Sequence, residues 1–403
     1  MKPWNQAKAS KTDIEQLVYL SNLIGGDLSL VQPGGGNTSV KLSEPDLFRC
    51  EVQALVVKGS GTDLRTIRPG GFTHLYVDRL SLLRPRDAMS DEEMMALMRA
   101  CMLFPDRDPV PSVETPMHSL LPARFVAHTH DVATLSLTDT PHGEENVRRV
   151  FGDEVAFLEY VRPGFPLAKR MAERFPVGPP EGATALVMEK HGLAVWGETA
   201  HDCYENLRSV IEKAEAFVAE QAKGKRAFGT PAAPTQEVAA RGEIATSLLP
   251  VIRGELARGG WRCILHLDDS PQTVETIAGE RLAEVTSRGV MTPEHIFRAG
   301  VRPLVVNLDG NRDAGDVAHA IRHAIQTHRD EYAAYAKTHG HKPIADFLKT
   351  IVIPSRGIVY AGLDKRAALV AADCYRATLE VMTNAEAVER FEFISEADQA
   401  EME

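Results

Sequence analysis

Paired cysteines are missing from this sequence. Its five cysteines, Cys50, Cys101, Cys203, Cys263 and Cys374, are odd in number and far apart, and no Cys-x-x-Cys occurs. That excludes a disulfide framework and a zinc knuckle, and the thiols read as reduced and mostly buried. Long apolar runs are missing too: no stretch approaches the roughly 18 uninterrupted residues of a simple membrane-spanning helix. The opening run MKPWNQAKASKTDIEQ has neither an apolar core nor a small-residue cleavage site. No secretory signal is visible, and a cytoplasmic location without a membrane partner is expected. Basic charge is scarce, with 45 Lys and Arg against 56 Asp and Glu and a formal net charge of −11. Nucleic-acid binders need a basic footprint, so no nucleic-acid partner is expected. A small anion remains compatible, because a site can be locally positive on an acidic protein. A Gly-x-Gly-x-x-Gly after a strand is also absent, which predicts no NAD site.

What is present is an alternation of helix-like and strand-like patterns over 403 residues, enough chain for two domains. KTDIEQLVYLSNLIGG has helical apolar spacing and a glycine stop, whereas ALVVKGSG and THLYVD read as strands. Ser90 followed by Glu93 predicts a capping box opening an amphipathic helix. PARFVAHTHDVATLSL reads as a strand running into a second apolar segment, and ATALVMEKHGLAVWGE as two short strands turning at His191-Gly192. Thr199 is the expected N-cap of the long helix that follows. Composition then shifts to Gly, Pro and small polar residues, placing a linker at 222–238 between a domain over 1–221 and another over 239–403. In the second half, Thr292-Pro293 predicts a helix start and TIVIPSRGIVYAG a hairpin. His319 and His323 read as solvated helix residues.

His128 and His130 flank Thr129, so in an extended strand both rings project to one face, with Cα atoms roughly 6.5–7 Å apart. One divalent ion can bridge that gap, given at least one further ligand. The alternative is a pair of ordinary hydrogen-bonded histidines. Val132 and Ala133 exclude the His-x-His-x-Asp-His order of metallo-β-lactamase-like hydrolases, and the missing glutamate after His130 excludes the cupin pattern. Glu114 and His118 lie just upstream, and His191 sits at its turn where a ring can reach a neighbouring strand. His118 reads either as a helix-face residue or as a further substrate contact. The glycine-rich runs Gly34-Gly35-Gly36-Asn37-Thr38-Ser39 and Lys58-Gly59-Ser60-Gly61-Thr62 are plain turns or an anion cradle, since glycine lets backbone N–H groups approach phosphate oxygens.

PGGGNTSV, VVKGSGTD, PSVETPMHSLLPARFVAHTH and MEKHGLAVWGE, in this order, resemble the class II aldolase/adducin family. The likeness is closest to the aldolase half of fused rhamnulose-phosphate aldolase/short-chain alcohol dehydrogenases. It extends through SRGVMTPEHIFR and the segments after it, without the dehydrogenase half. The resemblance implies an α/β fold: an α/β/α layered domain with a central, mainly antiparallel sheet, plus a second, smaller α/β domain. It also implies His128, His130 and His191 as ligands of a divalent metal, zinc first, with manganese, cobalt or iron as alternatives. Glu114 would be the acid/base carboxylate, because bond breaking beside a carbonyl passes through an enediolate that needs a Lewis acid and a proton carrier. Asn37, Thr38, Ser60, Gly61 and Ser112 would meet the substrate anion. Tyr160 is the candidate for the family's tyrosine acid, against a reading as a core aromatic. The implied activity is retro-aldol cleavage of a ketose phosphate by a homo-oligomer, a tetramer by family habit. Epimerisation, decarboxylation or dehydration on the same metal is the alternative within enzymes, and a non-catalytic adducin-like module the alternative outside them.

Overall fold

Strand patterns in the first half resolve into β1 (Asn37–Pro45), β2 (Glu51–Lys58), β3 (Phe72–Tyr76), β4 (Phe125–Thr129), β5 (Val155–Leu158), β6 (Ala185–Met188) and β7 (Gly192–Gly197). They form one sheet in the order β3-β2-β1-β4-β7-β6-β5, antiparallel except for the β5–β6 pair. The computed structural model describes residues 1–6, 9, 12–231, 238–308 and 314–403. It divides into two units, Met1–Thr138 with His142–Glu220, and Asp139–Pro141 with Gln221–Glu403.

In the first unit β4 is the central strand, and helices cover both sheet faces. Strand alternation sends Thr38 to the side of helix Asp13–Gly25, where its hydroxyl meets Ser21 Oγ at 2.6 Å. On the opposite side Met117 and Leu121 pack with Val126, Ala194 and Leu186, all essentially inaccessible to water. Burying side chains of this size stabilises by roughly 1.5–3 kcal/mol each, which fastens helix Thr115–Leu120 over that face. The layered arrangement and mainly antiparallel sheet agree with the expected fold class. So does the capping box: Ser90 Oγ accepts from Glu93 N–H at 3.2 Å, and Glu93 Oε2 accepts from Ser90 N–H at 3.0 Å. Thr199 Oγ1 likewise accepts from Asp202 N–H at 3.0 Å, at the start of helix Ala200–Ala222.

The second unit has a four-stranded sheet of β8 (Ile264–Asp268), β9 (Leu304–Val305), β10 (Thr350–Ile353) and β11 (Gly357–Gly362), in the order β8-β11-β10-β9. β10 and β11 are the expected hairpin. Ile252, Trp261, Ile321 and Leu348 belong to its core, and His319 and His323 are exposed. Of the segment expected to be a linker, 232–237 lie outside the described residues. Residues 228–230 pack into the second unit: Phe228 is buried, its carbonyl accepts from Arg281 N–H, and Thr230 accepts from Glu280 N–H, both at 3.0 Å. No helix among the described residues is long and apolar enough to cross a membrane.

Candidate metal centre

His128 lies on β4 and His130 one residue past its end, on the face shared with Val126. Their Nε2 atoms are 3.0 Å apart. Asp131 ends the strand at this point, because its carboxylate accepts from Thr134 N–H at 2.7 Å, Thr134 Oγ1 at 2.8 Å and Thr129 Oγ1 at 3.0 Å. The apolar segment beyond is therefore the capped helix Val132–Thr138. Burial pushes the Asp131 carboxyl up against the pull of those bonds.

His191 arrives from the β6–β7 turn. Lys190 has φ 54° and Gly192 φ 153°. A Cβ on Gly192 would lie 2.2 Å from Thr129 O and 3.2 Å from His130 Cδ2, so only glycine lets the turn close against β4. Glu114, just before helix Thr115–Leu120, completes the group: its Oε1 is 2.9 Å from His191 Nε2 and 3.3 Å from His128 Nε2. One ligand atom from each of Glu114, His128, His130 and His191 lies within 4.8 Å of the other three, and all four residues are buried.

The donor set fits a divalent metal. A tetrahedral ion with bonds of about 2.0–2.1 Å spaces its ligands about 3.3–3.4 Å apart, close to three of the pair separations here, 2.9, 3.0 and 3.3 Å, in a group whose ligand atoms all lie within 4.8 Å of one another. His128 Nδ1 lies 3.0 Å from Leu193 O on β7, so its N–H donates to that carbonyl and leaves the Nε2 lone pair facing the group. Burial pushes His191 down to about 4, against its bond to Glu114, and so keeps the ring neutral. Burial would raise the Glu114 carboxyl, but the electrostatic pull and hydrogen bonds of the His128 and His191 rings outweigh it and hold it well below the usual carboxylate range. Neutral imidazoles and an ionised carboxylate are the protonation states that metal binding requires.

Asn37 stands opposite His128 across the β1–β4 ladder. Its Nδ2 donates to Glu114 Oε2 at 2.5 Å, and its Oδ1 is hydrogen-bonded to His118 Nε2. His118 Nδ1 is 2.7 Å from Ser39 Oγ, two residues along β1 from Asn37. His118 is fully buried, and burial pushes it down to about 3. It is a helix-face residue, turned inward onto β1. Composition around it gave no signal; its partners lie about 80 residues away in the chain.

Both glycine loops are tied to strands beside this cluster. Lys58 Nζ donates to Gly34 O at 2.7 Å and Gly36 O at 2.9 Å, so this lysine clamps the first loop to β2. A Cβ on Gly36 (φ +56°) would lie 2.7 Å from His128 O, which ties that loop to β4. Ser60 N–H donates to Val110 O at 2.8 Å, Gly59 bridges to Pro111, and Ser112 Oγ accepts from Glu114 N–H at 3.3 Å. Ser60 and Gly61 are exposed beside these segments. Thr38, expected on the substrate anion, is instead fully buried with its hydroxyl on Ser21, because alternation along β1 turns it to the other sheet face. The side chain of Asn37 is engaged at both ends, by Glu114 and His118. Tyr160 follows β5, with its backbone N–H on Glu189 Oε2 at 3.1 Å.

Residues 15–218 match the class II aldolase and adducin N-terminal domain, and residues 243–403 match the second domain of class II aldolases. The chain belongs to the class II aldolase/adducin family. A Bacillus subtilis (strain 168) relative, described as the uncharacterized oxidoreductase YuxG, is 33% identical over 408 residues, 99% of this chain. This chain spans 58% of that relative's length. The N-terminal class II aldolase domain of a conserved Thermoplasma acidophilum protein is 38% identical, with a TM-score of 0.50, over 54% of this chain and 99% of its own. A sugar-phosphate aldolase from Thermotoga maritima is 15% identical, with a TM-score of 0.39, over 53% of this chain and 96% of its own. Within this class II aldolase-family chain, Glu114, His128, His130 and His191 are the only group of three or more His, Cys, Asp or Glu side chains among the described residues placed so that they could hold a metal ion.

Proposed function

We propose that the chain is a divalent-metal-dependent lyase that cleaves a ketose phosphate, or a related hydroxy-ketone, by retro-aldol chemistry. The observation carrying this reading is the convergence of three imidazoles and one carboxylate on one buried locus beside the clamped glycine loops. His128, His130 and His191 would hold the ion, with zinc the best match to the nitrogen donors. When bound, the ion supplies Lewis-acid stabilisation of the negative charge that develops beside the carbonyl. Glu114 carries the carbon-bound proton, a contribution typically worth about 10²–10⁴-fold. Ser60, Gly61 and Ser112 receive the substrate's anionic group from the loops packed against Glu114, and Asn37 acts on Glu114. Tyr160 takes up the hydroxyl proton as the aldehyde is released, and returns it to that oxygen in the reverse condensation. The working form is a homo-oligomer, a tetramer by family resemblance, which sedimentation would read directly.

The test is a panel of sugar phosphates and unphosphorylated hydroxy-ketones supplied to the zinc-loaded protein, with products read by mass spectrometry. Two smaller carbonyl compounds support cleavage. An unchanged mass with inverted stereochemistry means epimerisation, and loss of CO₂ or of water means decarboxylation or dehydration. Zinc bound at the histidines with no turnover of any class would leave a binding module. Independently, the protein should exchange a carbon-bound hydrogen of dihydroxyacetone phosphate with solvent deuterium, and Glu114→Gln should abolish that exchange.

A further inference from the structure

Glu114 has both carboxylate oxygens engaged, and they face different partners. Oε1 meets His191 and His128, whereas Oε2 accepts from Asn37 Nδ2. A carboxylate only accepts, so the Asn37 atom facing it is the amide N–H and the atom facing His118 is the carbonyl oxygen. His118 must then donate through Nε2–H, which leaves Nδ1 as an acceptor for the Ser39 hydroxyl 2.7 Å away. Each polarity in the chain follows from the one before it. Asn37, Ser39 and His118 are each at least 98% buried, so water does not compete for these bonds. Asn37 and Ser39 occupy alternate positions on one β1 face, and His118 lies over that face on helix Thr115–Leu120.

We propose that Ser39, His118 and Asn37 form a buried positioning chain that fixes the direction of the Glu114 carboxylate, with His118 locked as the Nε2–H tautomer. The proposal rests on the reading of Glu114 as the group that moves the substrate's proton. None of the three touches substrate; they act through Glu114. An unsupported glutamate has its side-chain rotamers to explore, and a misplacement of about 1 Å at a reacting group can cost about 10²-fold in rate.

The experiment uses the full chain loaded with zinc and dihydroxyacetone phosphate as probe, following solvent-deuterium exchange. His118→Phe should lower the maximal exchange rate by about 10²-fold, while the apparent KM and the zinc stoichiometry stay as in the parent protein. His118→Gln, whose amide can still donate to Asn37 Oδ1, should recover most of that loss, a rescue that a purely space-filling role would not give. In histidine-¹⁵N-labelled protein, the His118 signal should report one Nε2–H tautomer from about pH 6 to 8, and Ser39→Ala should blur it and slow exchange. Should His118→Phe not fold, the Ser39→Ala pair of readouts decides. Full exchange in His118→Phe alongside a dead Glu114→Gln variant would overturn the positioning chain alone, as would an Nδ1–H tautomer. Full exchange in Glu114→Gln would instead remove the role of Glu114 itself, and the chain's purpose with it.

Discussion

Replacing Gly192 by alanine is the sharpest test of how the candidate site is assembled. The new Cβ would lie 2.2 Å from Thr129 O, and 3.2 Å from His130 Cδ2. An ordinary contact needs a retreat of more than about 1 Å, and the atoms able to retreat belong to β4 or to the turn bearing His191. Overpacking of this kind costs about 1–3 kcal/mol. The backbone conformation adds strain of similar size, about 1–3 kcal/mol. Gly178→Ala separates the two effects, since Gly178 has φ +98° and a Cβ there would meet nothing within 4 Å. Both variants should lose stability in urea unfolding, Gly192→Ala by the larger amount. Only Gly192→Ala should weaken zinc binding by calorimetry, on the order of 10–100-fold, as for lost ligand-orienting contacts. Parental zinc affinity in Gly192→Ala, or equal destabilisation of the two variants, would refute the argument that this glycine sets the His191 turn against His130.

Removal of one ligand, as in His191→Ala, should abolish the stabilisation that zinc gives the parent, about 2.7 kcal/mol at a hundred times Kd, read as a lost shift in melting temperature. Without metal, stability should fall as pH drops from about 6.5 towards 4: His118 and His191 are pushed down to about 3 and 4. Over that window the unfolded chain binds protons that the folded chain refuses. Glu114, held low, adds to the fall only once pH passes below its ordinary range. Urea titrations at several pH values would check this, and His118→Gln should flatten the slope. Thr38→Val should cost about 1 kcal/mol for the lost Ser21 bond and leave the KM for a phosphorylated substrate unchanged, whereas Ser60→Ala should raise that KM.

The parts of this molecule legible from sequence are those in which local periodicity carries the information. His128 and His130 share a face because strand side chains alternate, and the His191-Gly192 turn and the Ser90–Glu93 capping box are short-range patterns. Thr38 faces Ser21 because β1 begins at Asn37, inside the glycine-rich run, and alternation applies from there, which a count of glycines does not reveal. His118 was legible as a residue but not as a partner, since Ser39 and Asn37 reach it only through the β1–β4 pairing and the helix laid over it. The composition of 222–238 suggested a linker, yet Phe228 is a core residue held by Arg281 N–H, a contact invisible to a count of Gly and Pro.

Glu114, His128, His130 and His191 come from a pre-helix turn, a central strand and its end, and a later hairpin. A fragment spanning 114–130 holds three of the four donors, yet nothing in it aligns them until β7 zips onto β4 and brings His191 along. An ion held by all four donors would therefore require the finished β4–β7 pairing, which runs from Thr129–Leu193 to Phe125–Gly197. Uptake of an ion during refolding would report the closure of that antiparallel seam.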